Sequence, residues 1–160
     1  DDIIKERLKW KVGEVMNLVV KKFDELKIDE LYEILKVRVS VFVVEQKCPY
    51  QEIDDKDKNA YHIYLVSNKE IKAYLRVLYS NIDDKEVFIG RVLSKERGKG
   101  YAKTILKEGI RISKEILNAS KIKIEAQVYV QKMYESFGFK PTSEEFLEDG
   151  IPHIEMELNL

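Results

Sequence analysis

Cys48 is the only cysteine among the 160 residues, so neither a disulfide framework nor a thiolate metal site is available. His62 and His153 are the only imidazoles and stand too isolated to argue for zinc. No charge of one sign prevails: 28 Lys and Arg face 29 Asp and Glu, a formal net charge of −1. That balance leaves no basic footprint for a nucleic-acid partner. No apolar run approaches the about 20 residues of a bilayer-spanning helix, and no secretory h-region opens the chain. We therefore expect no membrane partner and a cytoplasmic location. Several ligand motifs are missing as well. The dinucleotide pattern G-x-G-x-x-G fails because Lys103 stands where the third glycine belongs, and no G-K-[ST] follows an earlier glycine at P-loop spacing. Asp55 to Asn59 begins like a calcium loop, but Ala60 and Val66 occupy the positions of the required glycine and bidentate glutamate. No metal is expected.

What is present fits one globular domain with a sizeable core: 44% hydrophobic and 36% charged residues, with no repeat, low-complexity tract or linker. The chain starts at Asp1, and Met16 would make a native start. Residues 1–15 are thus expected to be an upstream extension or a remnant of cloning, and 16–160 the domain. Leu18 to Phe23 reads as a first strand. Asp29 is placed to cap a helix bearing Leu31, Ile34, Leu35 and Arg38 at helical spacing. From Val37 to Val44 the β-branched residues argue for a strand instead, and local propensity leaves that conflict open. Lys47 to Asn59 is a loop. Tyr61–Val66 and Ile71–Tyr79 are strands joined at Asn68-Lys69, and Asn81–Lys85 turns into a strand over Val87–Leu93. A helix follows from Lys103 to Leu117, with a core stripe at Ala102, Ile105, Leu106, Gly109, Ile110, Ser113, Ile116 and Leu117. Lys121–Val128 alternates as a strand, and Val130–Phe137 is a short helix stopped by Gly138 as a left-handed cap. Phe139 begins a further strand, and His153–Leu160 closes the mixed α/β chain.

The stretch Arg97-Gly98-Lys99-Gly100-Tyr101-Ala102 lies between the strand Val87–Leu93 and the long helix. A strand, a glycine-bearing turn and a helix in that order form an anion site, because the unpaired N–H groups and the positive dipole end of the helix point at one place. Gly98 and Gly100 let backbone approach a ligand with no Cβ in the way. An ordinary strand-to-helix connection would show the same pattern, so this stretch alone leaves both readings open.

Arg97-x-x-Gly100-x-Ala102 resembles the [Q/R]-x-x-G-x-[G/A] acyl-CoA motif of the GNAT N-acetyltransferase superfamily, and Tyr134-Glu-Ser-Phe-Gly138-Phe139 resembles its Y-x-x-x-G-F motif. The flanks sharpen the likeness. Glu30-Leu31-Tyr32 with Arg38, Val41 to Gln46, Cys48 to Glu52 with Asp54, Ile89 to Val92, Glu125 to Gln127 and Glu148 to Ile154 are similar to the ElaA-like subgroup. The resemblance covers about Leu18 to Leu158. It implies the acyl-CoA N-acyltransferase fold: an α/β (α+β) architecture with a mixed, mostly antiparallel sheet flanked by helices and splayed between the family's fourth and fifth strands. It also implies that Asp29 to Glu45 is helical, tertiary packing overriding β-branched propensity.

The resemblance further implies an acetyl-CoA-dependent N-acetyltransferase that moves acetyl from the thioester to a primary amine by direct attack. On this sequence the splay falls near Arg91, Val92 and Leu93, where a backbone N–H faces the thioester carbonyl. The pyrophosphate of coenzyme A lies against Gly98 to Ala102, with Arg97 and Lys99 adding charge. Gln127 stands where the wider family often has asparagine and is expected to contact the pantetheine or the short helix. Tyr134 is the expected general acid, since a phenol of pKa ~10 stays protonated at neutral pH and can serve a thiolate whose parent thiol sits near ~8.5. A lysine-like amine of pKa ~10.4 must lose a proton before attack, and the base is open among Glu45, Glu52, Asp54, His62, Glu125 and His153. His153 and Glu45 are retained as catalytic candidates. The acids from Glu52 to Asp57 read either as an attraction for a cationic amine or as a solvated loop. The acceptor is a small-molecule or peptide amine, the protein a monomer or homodimer, with the tyrosines of Tyr74–Tyr79 leaving room for a dimer. The alternative is a non-catalytic acyl-CoA-binding sensor or an interaction module.

Overall fold

The structure, a computed structural model, describes residues 4–11 and 14–160. Its strands form a mixed, mostly antiparallel sheet accompanied by helices, and the chain divides into two compact units. One holds the chain up to Leu78 and again Arg91–Gly109; the other holds Tyr79–Gly90 and Ile110–Leu160.

In the first unit, β1 (Ile4–Lys11), β2 (Glu14–Lys22), β3 (Tyr61–Ser67) and the greater part of β4 (Glu70–Asn81) pair antiparallel in that order. Ile4–Lys11 is therefore a strand of this sheet, and Met16, the expected domain start, lies inside β2 with its side chain fully buried. The expected link at Asn68-Lys69 is a two-residue hairpin turn: both residues are left-handed (φ 51 and 63) and Ser67 faces Glu70. β4 is buried on both faces over Ala73–Val77. Tyr74 and Arg76 are as buried as Ala73, Leu75 and Val77, because helix α1 (Ile28–Arg38) covers the face that Tyr74 occupies. Ile34 and Val37 of that helix pack on Val19, Tyr64, Ile71, Tyr74 and Leu93. Tyr74 is thus core, and within Tyr74–Tyr79 the exposed tyrosine is Tyr79.

The start of α1 differs from expectation. Asp29 lies inside the first turn, while the Glu30 carboxylate accepts the Lys27 N–H at 2.8 Å from the far side. The same carboxylate takes Lys21 Nζ at 2.8 Å on each oxygen and the Tyr64 hydroxyl at 2.9 Å. Against the upward push of partial burial, these donors hold its pKa below the ordinary value. Beyond Arg38 the chain stays helical, as expected, but Val39–Glu45 widens into π turns. The wider turn spaces the β-branched Val39, Val41, Val43 and Val44, which crowd an α-helix.

In the second unit, the first half of β5 (Glu86–Ser94) runs parallel to β6 (Lys121–Gln127), paired over Glu86–Phe88 and Lys121–Lys123. On its other edge β6 is paired along its whole length with β9 (Ile151–Asn159), from Lys121↔Asn159 to Gln127↔His153. The short strands β7 (Lys140–Pro141) and β8 (Phe146–Glu148) also pair with β9. Asp149-Gly150, at φ 52 and 77, makes the β8–β9 turn, and this Asp-Gly was the hairpin signal that the strand reading passed over. Ile122, Ile124, Ala126, Phe139, Ile154 and Met156 form buried positions here.

Helix α2 (Tyr101–Arg111) begins two residues before the expected Lys103 and ends in π turns over Ile112–Ile116. The widening shifts the buried stripe: Ile112 and Ser113 are buried, while Ile116 is 50% exposed. Helix α3 (Gln131–Glu135) is stopped as expected. Gly138 sits at φ 97, and the Phe139 N–H reaches back to the Tyr134 carbonyl at 3.3 Å.

Candidate active site

The glycine turn has the geometry that its sequence asks for. Gly98 and Gly100 adopt φ 75 and 78, a conformation that a side chain disfavours. The Gly100 carbonyl accepts the Thr104 N–H at 3.2 Å, which makes Gly100 the residue preceding the first turn of α2. It has no side chain to cap that turn, so the N–H groups of Tyr101, Ala102 and Lys103 gain no bond from it. A Cβ built on Gly98 would meet nothing within 4 Å, so the backbone there faces open space. That shape fits a pyrophosphate approaching main-chain N–H groups. Arg97 is exposed and Lys99 half-buried. Tyr101 contributes only its backbone, because its side chain is buried at 1% exposure with its hydroxyl 3.4 Å from Glu96 Oε2.

Just upstream, Arg91 interrupts β5 with φ 53, a left-handed residue inside a strand. This left-handed break lies in the stretch Arg91, Val92 and Leu93, where the splay is expected. Leu93 beyond it is buried in the cluster beneath α1.

Sequence reasoning missed the feature that dominates the first unit, a buried cluster of three arginines and three carboxylates. Arg38 donates to Glu52 Oε2 from Nε at 2.9 Å and Nη2 at 2.7 Å, and to Asp57 Oδ1 from Nη1 at 2.6 Å. Arg76 donates to Asp54 at 2.9 and 2.7 Å and to Asp57 at 2.9 Å. Arg91 Nε donates to Glu52 Oε2 at 2.8 Å, its guanidinium lies 5.4 Å from the centre of the Tyr50 ring, and the Tyr50 hydroxyl donates to Glu52 Oε1. Three positive and three negative charges balance inside the fold, as burial of charge requires. Burial pushes the pKa of Asp54 upward, but Arg76 and Arg91 overcome it and hold it at about 2; Arg38 and Arg76 likewise keep Asp57 below the ordinary range. Glu52, Asp54 and Asp57 are therefore spent on arginines of the fold, with Glu52 and Asp57 4% and 5% exposed, while Asp55 among them stays in solvent. His62, fully buried, lies between the Asp57 carbonyl (Nε2, 2.9 Å) and the Tyr74 hydroxyl (Nδ1, 2.7 Å), and burial lowers its pKa. Glu52, Asp54 and His62 leave the shortlist of bases, their lone pairs and protons being engaged. The sequence did carry a hint: Arg76 interrupts the apolar run from Ala73 to Tyr79. Glu45 is exposed at the end of the π turns.

The second unit gathers the remaining candidates. Gln127 faces His153 across the β6–β9 ladder. His153, 9% exposed, has Nδ1 2.7 Å from the Ile151 carbonyl, Nε2 3.7 Å from Glu148, and its ring stacked on Phe146. A carbonyl accepts only, so Nδ1 carries the proton and Nε2 presents a lone pair beside a carboxylate. The Glu125 pKa is raised, first by loss of water around the carboxyl and then by Glu148 and Glu155. Tyr134 is 4% exposed and packs edge-on against Phe139 with ring centres 5.8 Å apart. Burial, with Tyr129 second, drives its pKa well above the ordinary phenol value, so its proton stays on. Among the described residues, no hydrogen-bond partner meets its hydroxyl.

A cavity of about 390 Å³ beside α1, lined by Glu33, Lys36, Ser40, Asn68, Lys69 and Lys95 among others, contains none of the expected site residues. A smaller one of about 130 Å³ in the second unit includes Glu125 and Glu155. Among the described residues, no group of three or more His, Cys, Asp or Glu could hold a metal, and no helix is long and apolar enough to cross a membrane.

Comparison with known proteins bears on this arrangement directly. Residues 28–160 match the model of the acetyltransferase (GNAT) domain. The chain is 40% identical over 149 residues to a UPF0039 protein of Schizosaccharomyces pombe, covering 91% of this chain and 98% of that one. It is 40% identical over 136 residues to Protein ElaA of Escherichia coli, covering 82% of this chain and 89% of the relative. The crystal structure of E. coli ElaA superposes with a TM-score of 0.84 at 37% identity, covering 89% of this chain and 98% of that one. An acyl-CoA N-acyltransferase from Pseudomonas aeruginosa superposes at 0.82 and 35% identity over the same shares.

Proposed function

From the premise that the chain belongs to the GNAT acetyltransferase family, we propose that it is an acetyl-CoA-dependent N-acetyltransferase acting on a primary amine. The observation that carries the reading is the glycine turn, with two left-handed glycines before α2 and open space over Gly98. Acetyl-CoA, when bound, supplies an acetyl group already activated as a thioester. The chain supplies binding, polarisation and proton handling. Main-chain N–H groups from Gly98 to Ala102 hold the pyrophosphate, and Arg97 and Lys99 add positive charge. An amide at Val92 or Leu93, beyond the left-handed Arg91, donates to the thioester carbonyl oxygen. Gln127 contacts the pantetheine.

The Tyr134 hydroxyl keeps its proton at neutral pH and meets no hydrogen-bond partner among the described residues, so it can donate to the departing sulfur. Its raised pKa makes complete transfer to a thiolate of pKa ~8.5 uphill, and its role is then to hold a hydrogen bond as negative charge grows. His153 is the favoured base: Nε2 has the free lone pair, and Glu148 beside it stabilises the imidazolium formed when a proton is taken. Glu45 is the second candidate, with neither burial nor a fixed partner to support it. A cytoplasmic setting and a small-molecule or peptide amine acceptor belong to the same reading.

Thermal unfolding with acetyl-CoA tests it. Ligand at about 100 times its dissociation constant stabilises by about 2.7 kcal/mol, and at about 2–4 °C per kcal/mol for a protein of this size the Tm should rise by roughly 5–11 °C. An unchanged Tm removes the acyl-CoA reading altogether. Release of free thiol with a panel of polyamines, amino acids and peptides identifies the acceptor. Normal binding with no thiol release on any amine favours a non-catalytic sensor.

A further inference from the structure

The left-handed residue in β5 is an arginine, although a glycine stands next to it. Gly90 is absent from the left-handed region, and its reason for lacking a side chain is packing: a Cβ there would meet the Phe88 ring at 2.7 Å. Residue 91 takes φ 53 with a full side chain, a conformation that L-residues outside turns rarely adopt.

The Arg91 side chain is held at several points. Its Nε donates to Glu52 Oε2 at 2.8 Å, and its Nη2 approaches the Glu52 carbonyl at 3.3 Å and Asp54 Oδ2 at 3.4 Å. The guanidinium also stacks on Tyr50. None of these anchors is free to follow a moving backbone. Glu52 is already gripped by Arg38 from the end of α1 and by the Tyr50 hydroxyl, and Asp54 is held by Arg76 from β4. A side chain fixed at its head by the buried Glu52 and the half-buried Asp54 and Tyr50 restricts the backbone at its root, and here the root is the left-handed residue. We propose that Arg91 is a positioning residue, whose clamp on Glu52, Asp54 and Tyr50 holds the left-handed backbone that presents the Val92 and Leu93 amides to a thioester carbonyl. The proposal rests on the acyl-CoA reading above and adds the side chain that sets the donor. The arginine cluster thereby reaches from the α1 terminus to the point where the reacting carbonyl is polarised.

Calorimetry with acetyl-CoA and with S-ethyl-CoA, which has the same length but no carbonyl, isolates that donor without relying on turnover. A well-placed hydrogen bond makes acetyl-CoA the tighter ligand of the wild type by about three- to tenfold. Arg91→Ala removes the clamp and keeps the strain of a left-handed non-glycine, so the two ligands should bind alike. Arg91→Gly removes the clamp but favours the left-handed backbone, and should retain a preference of about threefold. A crystal structure of each variant reads φ at residue 91 directly. Glu52→Gln, which touches no ligand, should reduce the preference as Arg91→Ala does. If it fails to fold, the two Arg91 variants decide alone. An undiminished preference in Arg91→Ala, or loss of preference equally in the glycine variant, overturns the positioning role. No binding of either ligand to the wild type overturns the acyl-CoA reading itself, and the two failures are distinct.

Discussion

Replacing Glu52 by glutamine should cost the fold about 3–5 kcal/mol, the range for removing one partner from a buried ionic group. The geometry sets this at the upper end of what one substitution does. The carboxylate is 3% exposed and accepts Arg38 through two nitrogens, Arg91 through Nε, and the Tyr50 hydroxyl. Glutamine has nearly the same shape, so no cavity forms. It turns an –NH2 group toward donors, however, and leaves three arginines against two carboxylates. Against a total stability of about 5–15 kcal/mol for a natural domain, that loss is a large fraction. In thermal unfolding it corresponds to a Tm lower by roughly 6–20 °C at about 2–4 °C per kcal/mol. Urea titration is the cleaner assay, since an unchanged slope shows that the midpoint reports stability alone. Adding Arg38→Met restores charge balance, so the double variant should be less destabilised than the sum of the singles by about 1 kcal/mol or more. A loss under about 1 kcal/mol for Glu52→Gln, the range of exposed ion pairs, or strict additivity with Arg38→Met, would refute the account of the cluster.

The same cluster makes the fold acid-sensitive. The His62 pKa is lowered by burial, so the unfolded chain binds a proton near pH 6.5 that the native one refuses, and stability should fall as pH drops below that value. Asp54 and Asp57 have depressed pKa values, and their contribution, present above about 4, is lost as pH falls further, for Asp54 through about 2. Tm measured against pH should therefore decline below 6.5 and steepen below 4, and a His62→Gln variant that keeps the upper decline unchanged would acquit that histidine. Gly138→Ala should destabilise by about 1–2 kcal/mol on conformational grounds, with Leu158 Cδ1 only 3.2 Å from the new Cβ adding to it; equal urea midpoints would contradict the left-handed cap. Gly98→Ala meets no such neighbour, so its larger effect should be on the dissociation constant of coenzyme A, read by calorimetry. Tyr134→Phe keeps the packing on Phe139 and should lower turnover with the best amine of the panel by on the order of 10²-fold with coenzyme A affinity unchanged; equal turnover removes that hydroxyl from the mechanism.

Most of what is local in this protein was legible from its residues. Asn68, the glycines at 98 and 100, and Gly138 each adopt the backbone that their chemistry favours or tolerates, because a turn or cap is decided within four or five residues. Alternation placed the strand at Lys121–Gln127, and the two motifs of the resemblance placed the family. What failed locally also failed for local reasons: Asp29 offered a cap, but Glu30 reached the Lys27 N–H from the far side of the turn, and Asp149-Gly150 went unused as a hairpin signal.

The tertiary structure decided where charge goes. Glu52 meets Arg38 across 14 residues and Arg91 across 39, and Asp57 meets Arg76 across 19. No window of sequence contains such a match, so an acidic run that reads as a solvated loop becomes the counter-charge of a buried arginine cluster. The left-handed turn at Arg91 belongs to the same category. Nothing in an arginine asks for φ 53, and only partners brought together by folding can hold it there. Sequence determined most of the central elements, the Gly138 cap and the family, because those depend on near neighbours and on pattern. Folding alone determined which charges are buried, and with them the shape of the backbone that would face the thioester, because the pairing that makes burial tolerable exists only once distant segments have met.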